Sequence, residues 1–449
     1  MSKRNKSARR ARMIAACAAA LSVCAWSCAA TSPVAAQTAV APAPVTAAVN
    51  PKSAGVAAAS ARVLRETSEI RKLAVLRTVK SGAQSRAEVE RMLVRNLDED
   101  TTPAEFRASE LTLKKLGLVP TDFNLRPFLL ALLTEQVAGY YDPKAQQFYL
   151  ADWIGLDEQE PVMAHELTHA LQDQHFNLRR FENWPKADAD AELAAHALVE
   201  GDATLLMTFY VMRDVSRAGA LMKAAQASGG SMEKIDSAPR VLRESLIFPY
   251  LQGTSWVSQL YKRGGWSLVS EAYTKLPQST EQILHADKYF ASEAPLKVET
   301  PDMSATLGAG WKRIDYDVNG EWGTFLMLDE FLKSEKDSQK AAAGWGGDRY
   351  ALYEQARTGQ TCLTQMTAWD TEQDAREFFD AYRERTMRRY KIKAAPAPEA
   401  AGATNTSTDT YQTGEGAVVI ARRGVRVLIL EGLPASMNAK KLLATLLPA

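Results

Sequence analysis

Cysteine is scarce in this chain and poorly placed for crosslinking. Of four in 449 residues, Cys17, Cys24 and Cys28 lie among the first 30, and Cys362 alone lies beyond them. Once the N-terminal leader described below is removed, no intramolecular disulfide can form, so stability has to come from packing and metal. A basic excess is also missing. Residues 1–36 hold six cations and no Asp or Glu, so the formal net charge of +1 becomes −5 without them. A mildly acidic protein offers no positive field to a phosphate backbone, and nucleic acid is excluded as an expected partner. Long apolar runs are limited to Met13–Ala30, which is Ala-rich and short for a membrane span of ~20 residues. There is no internal repeat, and there are only five histidines.

What is present reads first as an export signal. Lys3 to Arg12 is basic, the apolar run follows, and Val34-Ala35-Ala36 places small residues for cleavage before Gln37. The expected location is therefore secreted or periplasmic. Contact with a membrane is expected only through an uncleaved or lipidated N-terminus, the latter requiring Cys17, Cys24 or Cys28. Residues 37–56, rich in Ala, Pro, Val and Thr at their start, read as a flexible tether.

The remaining chain has the 46% hydrophobic and 24% charged content of an ordinary globular protein. Its pattern predicts an α+β fold in two parts. Residues 57–340 are mainly helical, with a capping box at Ser85–Glu88 and a β-hairpin over Gly139–Leu150 that turns at Asp142-Pro143-Lys144. A short strand is expected at Leu76–Val79. Asp157 opens the helix that follows the hairpin, and Ala187 to Ala220 is a long helical stretch interrupted only by Gly201. Residues 341–449 form a C-terminal α+β unit. Its strands lie near Arg349–Tyr353, Thr361–Ala368, Ala417–Ala421 and Val425–Leu430, and its helix over Thr371–Tyr390. Cys362 is expected in its core. Trp311, Trp322 and Trp345 are expected to pack between the two parts or to stack on a ligand.

The chemistry concentrates at residues 165–169, His-Glu-Leu-Thr-His. On a helix, positions i and i+4 share a face, so His165 and His169 can aim at one point. Two neutral imidazoles suit Zn2+, and Glu166 beside them is placed to act as general base. With so few histidines, H-E-x-x-H arises by chance well below ~1 time in 100. A catalytic zinc needs a third protein ligand, and Glu200 in Val199-Glu200-Gly201-Asp202-Ala203 is the leading candidate. Glu192 and His196 compete with it, preceding it at four-residue steps. His175, about 600° round the helix from His169, is expected to be structural or on the surface.

His165–His169 followed by Glu-Gly-x-Ala at 200–203 resembles the gluzincin clan of zinc peptidases, over roughly residues 130–210. The resemblance implies a zincin-like catalytic domain for residues 57–340, Glu200 as third zinc ligand, and the 139–150 hairpin as an edge that pairs with extended substrate. Two features depart from the clan. The gap to Glu200 is long, which implies an insertion near Asn177–Asp188, and Thr204 stands where an orienting Asp is usual. Asp202 is the nearest substitute.

The expected function is an exported zinc peptidase acting on peptide or protein substrates, with Glu166 moving the proton. His285 is the candidate oxyanion donor, and Tyr250 and Tyr261 are alternatives. Two rival readings use the same residues: an inactive, zinc-stabilised binding module, and a metallohydrolase acting on something other than peptides.

Overall fold

The computed structural model describes residues 51–183, 187–227, 237–393 and 406–447. The expected leader, most of the tether, Gly229-Gly230 and most of the 394–409 loop lie outside the described residues. The fold is α+β, as the pattern predicts.

Helix α1 (Pro51–Arg71) begins before the expected Ala57 and leads to strand β1 (Lys80–Gln84). Helices α2 (Arg86–Asp100), α3 (Pro103–Lys115) and α4 (Leu125–Gln136) follow. The Ser85–Glu88 capping box forms as read, and Thr102 with Glu105 makes a second one at α3. Strands β2 (Gly139–Asp142) and β3 (Gln147–Ala151) make the hairpin, and the Asp142 carboxylate accepts the Lys144 and Ala145 N–H groups in its turn. β1 pairs parallel to β3 on the side opposite β2, so the order is β1-β3-β2 and β2 is an edge. The strand expected at Leu76–Val79 thus lies just downstream, where residues 80–84 find a partner.

Helix α5 (Glu160–Phe176) carries the H-E-x-x-H motif. Asp157 opens only a 3₁₀ turn, and α5 starts after it with Pro161 in its first turn. The long helical stretch that follows is two helices, α6 (Ala189–Met212) and α7 (Val215–Ala227). Helix α8 (Arg240–Ala272) is broken at Gly264 and Gly265, the latter with φ of 62°. Short helix α9 (Thr280–Leu284) precedes the second unit. Around α5, α6 and α8 lies one apolar core, with Leu167, Leu171, Leu198, Leu206, Trp256 and Leu260 fully buried.

The C-terminal unit begins earlier than residue 341. Strand β4 (Trp311–Asp317) pairs with β5 (Trp345–Gln355), and helices α10 (Gly320–Leu332) and α11 (Glu335–Ala342) lie between them. Only three residues of β4 are buried, so the strand carries little hydrophobic signal of its own. The sheet continues through β6 (Thr361–Trp369), helix α12 (Glu372–Tyr390), β7 (Thr406–Thr413), β8 (Gly416–Arg423) and β9 (Arg426–Leu433), and helix α13 (Ala439–Leu446) closes the chain. The strand order is β4-β5-β6-β9-β8-β7, antiparallel throughout.

Period-2 alternation divides its residues between two cores. Val418 and Ile420 face one way with Phe378 and Tyr382 of α12; Val419 and Ala421 face the other with Cys362 and Leu442. Cys362 is fully buried, as expected of a small core residue. The tryptophans are packing residues: Trp345 is buried and donates to Asp348, and Trp322 lies 4.8 Å from Phe248, joining α10 to α8.

Candidate metal centre

Helical geometry alone brings His165 and His169 to one face of α5. Their Nε2 atoms are 3.1 Å apart and the rings stand nearly perpendicular, at 82°. From α6, the Glu200 Oε2 comes to 3.1 Å from His165 Nε2 and 3.5 Å from His169 Nε2. Tetrahedral zinc with ligand bonds near 2.0–2.1 Å requires donor atoms ~3.4 Å apart. The three donors form such a face, and their chemistry, two imidazoles and a carboxylate, suits zinc. All three residues are buried. Glu192, one of the two rivals of Glu200, lines a separate cavity instead. The other, His196, is buried with no partner at Nδ1 among the described residues.

Electrostatics bind the same three groups together. Burial alone pushes the His169 imidazolium down, but the Glu200 carboxylate beside it prevails and lifts His169 to about 9. Burial likewise opposes charge on Glu200, and the two histidines hold it well below the ordinary carboxylate range.

Glu166 lies on the same helix. A carboxylate oxygen of Glu166 lies within 4.8 Å of ligand nitrogens of both histidines. Its Oε2 accepts the Tyr141 N–H of edge strand β2 at 3.0 Å. The Tyr141 hydroxyl donates to Asp173, about two turns further along α5, and Arg77 donates to that same carboxylate. The strand edge is thereby tied across the motif helix at two points.

His169 is oriented by a relay that the sequence leaves hidden. Its Nδ1 meets Gln172 Oε1 at 2.8 Å, while Gln172 Nε2 donates to Val199 O and to Asp202 Oδ2, each at 3.0 Å. Two acceptors at the amide nitrogen fix the amide's orientation, so Nδ1 carries the proton and Nε2 is left as the ligand. Asp202 in turn accepts Arg71 through Nε at 2.6 Å and through the second guanidinium arm at 3.0 Å, and also the Tyr273 hydroxyl at 2.8 Å. Asp202 is thus linked to His169 through Gln172 and not by direct contact. The sequence reading missed Gln172, though its place three residues after His169 on one helix was a signal that could have found it. Arg71 and Tyr273, a hundred residues to either side, carry no such signal.

Among the remaining candidates, His285 contacts Glu321 at 2.9 Å and is partly exposed, and none of its described contacts reaches the imidazole pair. Tyr250 of α8 is the aromatic that does, its ring stacked at 6.1 Å from that of His165. Tyr261 belongs to an aromatic cluster with Phe209 and Trp266. His175 binds the Ala74 carbonyl at 2.7 Å, a structural role as expected. Asn177 ends α5 in the left-handed conformation, where the chain enters the long connection to α6.

No helix among the described residues is long and apolar enough to cross a membrane. A family described as a domain of unknown function, DUF8575, matches residues 306–442, which runs from just before β4 into α13 and leaves the candidate metal centre outside it. Neither the curated proteins nor the solved structures include a match to the chain.

Proposed function

We propose that this chain is an exported, zinc-dependent peptidase of the gluzincin type, with His165, His169 and Glu200 holding the metal and Glu166 as general base. The observation that carries the reading is the convergence of two imidazole nitrogens and one carboxylate oxygen within 3.1–3.5 Å, with Glu166 beside them on the same helix. When bound, zinc supplies Lewis acidity, lowering the pKa of water and polarising a carbonyl. Glu166 takes a proton from water and returns it to the leaving amine. The Tyr141 N–H holds its Oε2, which orients the carboxylate. Gln172 and Asp202 keep His169 in its ligating tautomer. Edge strand β2 offers backbone groups to an extended chain beside Glu166, which favours a peptide as substrate. Tyr250, placed against His165, is the better candidate than His285 for stabilising the oxyanion. Export rests on the basic stretch and apolar run before Gln37.

The test is mass-spectrometric cleavage of a mixed peptide library by residues 37–449, beside Glu166→Gln with matched zinc content. Cleavage by the parent and not by the variant supports the reading. A folded, zinc-loaded parent that cuts nothing overturns it and favours a zinc-stabilised binding module.

A further inference from the structure

The C-terminal unit meets the start of α6 through buried carboxylates, and one glycine marks the place. Gly320, the first residue of α10, has φ of 71°. A β-carbon there would overlap the Asp190 carboxylate, so Asp190 of α6 lies against bare glycine backbone. The Gly320 N–H donates to Asp348 of β5 at 3.0 Å. Two carboxylates, one from each unit, thus flank the same residue, and both are buried.

Asp190 forms no ion pair among the described residues. Its Oδ1 lies 2.5 Å from the Thr280 hydroxyl, and its Oδ2 accepts the Thr280 N–H at 3.1 Å. The same Thr280 oxygen accepts the Trp322 N–H of α10, so Thr280 ties the α6 carboxyl to the C-terminal unit. The charges nearest Asp190 have its own sign. Asp188 comes from α6 itself, Asp348 from β5, and Asp317 from β4, where it accepts the Ala189 N–H. Other titratable groups on the packed elements are engaged: Glu281 of α9 with Lys288, and Glu321 of α10 with His285. The Arg349 guanidinium donates to the Ala187 and Val298 carbonyls, and its charge acts on Asp188 and Asp348.

An ionised Asp190 would therefore be a buried charge beside like charges, with no cation in contact. Burial is the largest influence and raises its carboxyl well above the usual range; Asp188 and Asp348 add to this, and the Thr280 hydrogen bonds oppose it. Burial likewise lifts Asp348 to about 6. Opening the contact hydrates Asp190 and returns it to an ordinary carboxylate. The closed form thus holds a proton that the open form gives up to water. Closure is firmest below the ordinary value of 3.8 and weakens as pH rises towards the raised one.

We propose that the Asp190–Thr280–Gly320 contact is a proton-operated latch, which holds the C-terminal unit on α6 at acid pH and loosens it as pH rises. Glu200 follows ten residues along the same helix, or ~15 Å, so the latch grips the element that brings a carboxylate to the candidate metal centre. The inference rests on the fold and is independent of the peptidase reading.

Hydrogen–deuterium exchange of the full chain from pH 5 to 8, corrected for the intrinsic rate at each pH, tests it. Residues 190–194 and 318–324, the two sides of the latch, should lose protection together, by up to about tenfold per pH unit, the limit for one proton. Asp190→Asn keeps a donor and an acceptor towards Thr280 but cannot ionise. It should stay protected across the range, with its advantage over the parent widening as pH rises. If that variant does not fold, the parent profile decides alone. Protection in the parent that is constant from pH 5 to 8, loosening on one side only, or the same pH slope in a folded Asp190→Asn overturns the latch.

Discussion

Gly201 of α6 and Gly253 of α8 meet backbone to backbone. A β-carbon on Gly201 would overlap the Gly253 carbonyl, and one on Gly253 would overlap the Ala197 carbonyl oxygen. The helices therefore approach more closely than any side chain permits, and this crossing sets the phase of α6. Glu200, one residue away, is turned to the histidines as a consequence. The glycine of the Glu-Gly-x-Ala segment is thus a packing requirement of the α6–α8 crossing.

Gly201→Ala and Gly253→Ala should each push α6 and α8 apart, at a cost of about 1–3 kcal/mol typical of overpacking. Thermal unfolding and bound zinc per chain should fall together. Gly219→Ala is the control: nothing lies within 4 Å of a β-carbon there, and it should be neutral or slightly stabilising. Unchanged zinc content in both crossing variants would disconnect the crossing from the site.

The relay behind His169 should divide into a tuning part and a structural part. Gln172→Leu should weaken zinc binding about 10–100-fold, read by chelator competition, because His169 loses the group that fixes its tautomer. Asp202→Ala should cost about 3–5 kcal/mol of stability, since it strands the fully buried Arg71. A Gln172→Leu chain with parental zinc affinity would remove the relay from the site's function.

The C-terminal unit carries a pH signature of its own. Burial opposes charge on Glu431, but Arg385 and Arg389 prevail and hold its carboxyl down at about 2. Because this folded-state pKa lies below the ordinary 4.5, the stabilisation is complete above about pH 4.5 and is lost as pH falls towards 2. Denaturant unfolding from pH 6 to 2.5 should show the parent losing stability through that window. Glu431→Gln, weaker at neutral pH, should show a flatter profile there.

Cys362 should be inert in the folded chain. Burial, the largest influence on it, pushes its thiol up to about 12, leaving little thiolate at neutral pH. Iodoacetamide should label it only after unfolding, as read by intact mass, and labelling at the native state's full rate would contradict the buried position.

Legibility differed sharply among the site residues. His165, Glu166 and His169 were readable because their geometry is contained within four residues of one helix. Glu200 was readable only as one of three carboxylate or imidazole candidates at four-residue steps. The α6 periodicity that makes Glu192, His196 and Glu200 equivalent on paper is resolved by where α8 crosses. Asp202 was legible as the nearest substitute for an orienting Asp, although at i+2 it lies elsewhere on the helix than Glu200. It contributes because Gln172 bridges the distance from α5. Tyr250 and His285 were separated by packing alone, α8 bringing the first against His165 and α10 taking the second through Glu321.

The sequence by itself determined the α+β class, the hairpin and its turn, the motif helix, and the strand–helix alternation after residue 344. All of these are periodicities or caps that act within a few residues, where local backbone geometry suffices. Tertiary structure decided the partners: β1 beside β3, β4 beside β5, Glu200 beside the two histidines, and Arg71 against Asp202. Each of these joins residues far apart in the chain, and such contacts are selected by close packing and buried charge, which no local pattern encodes.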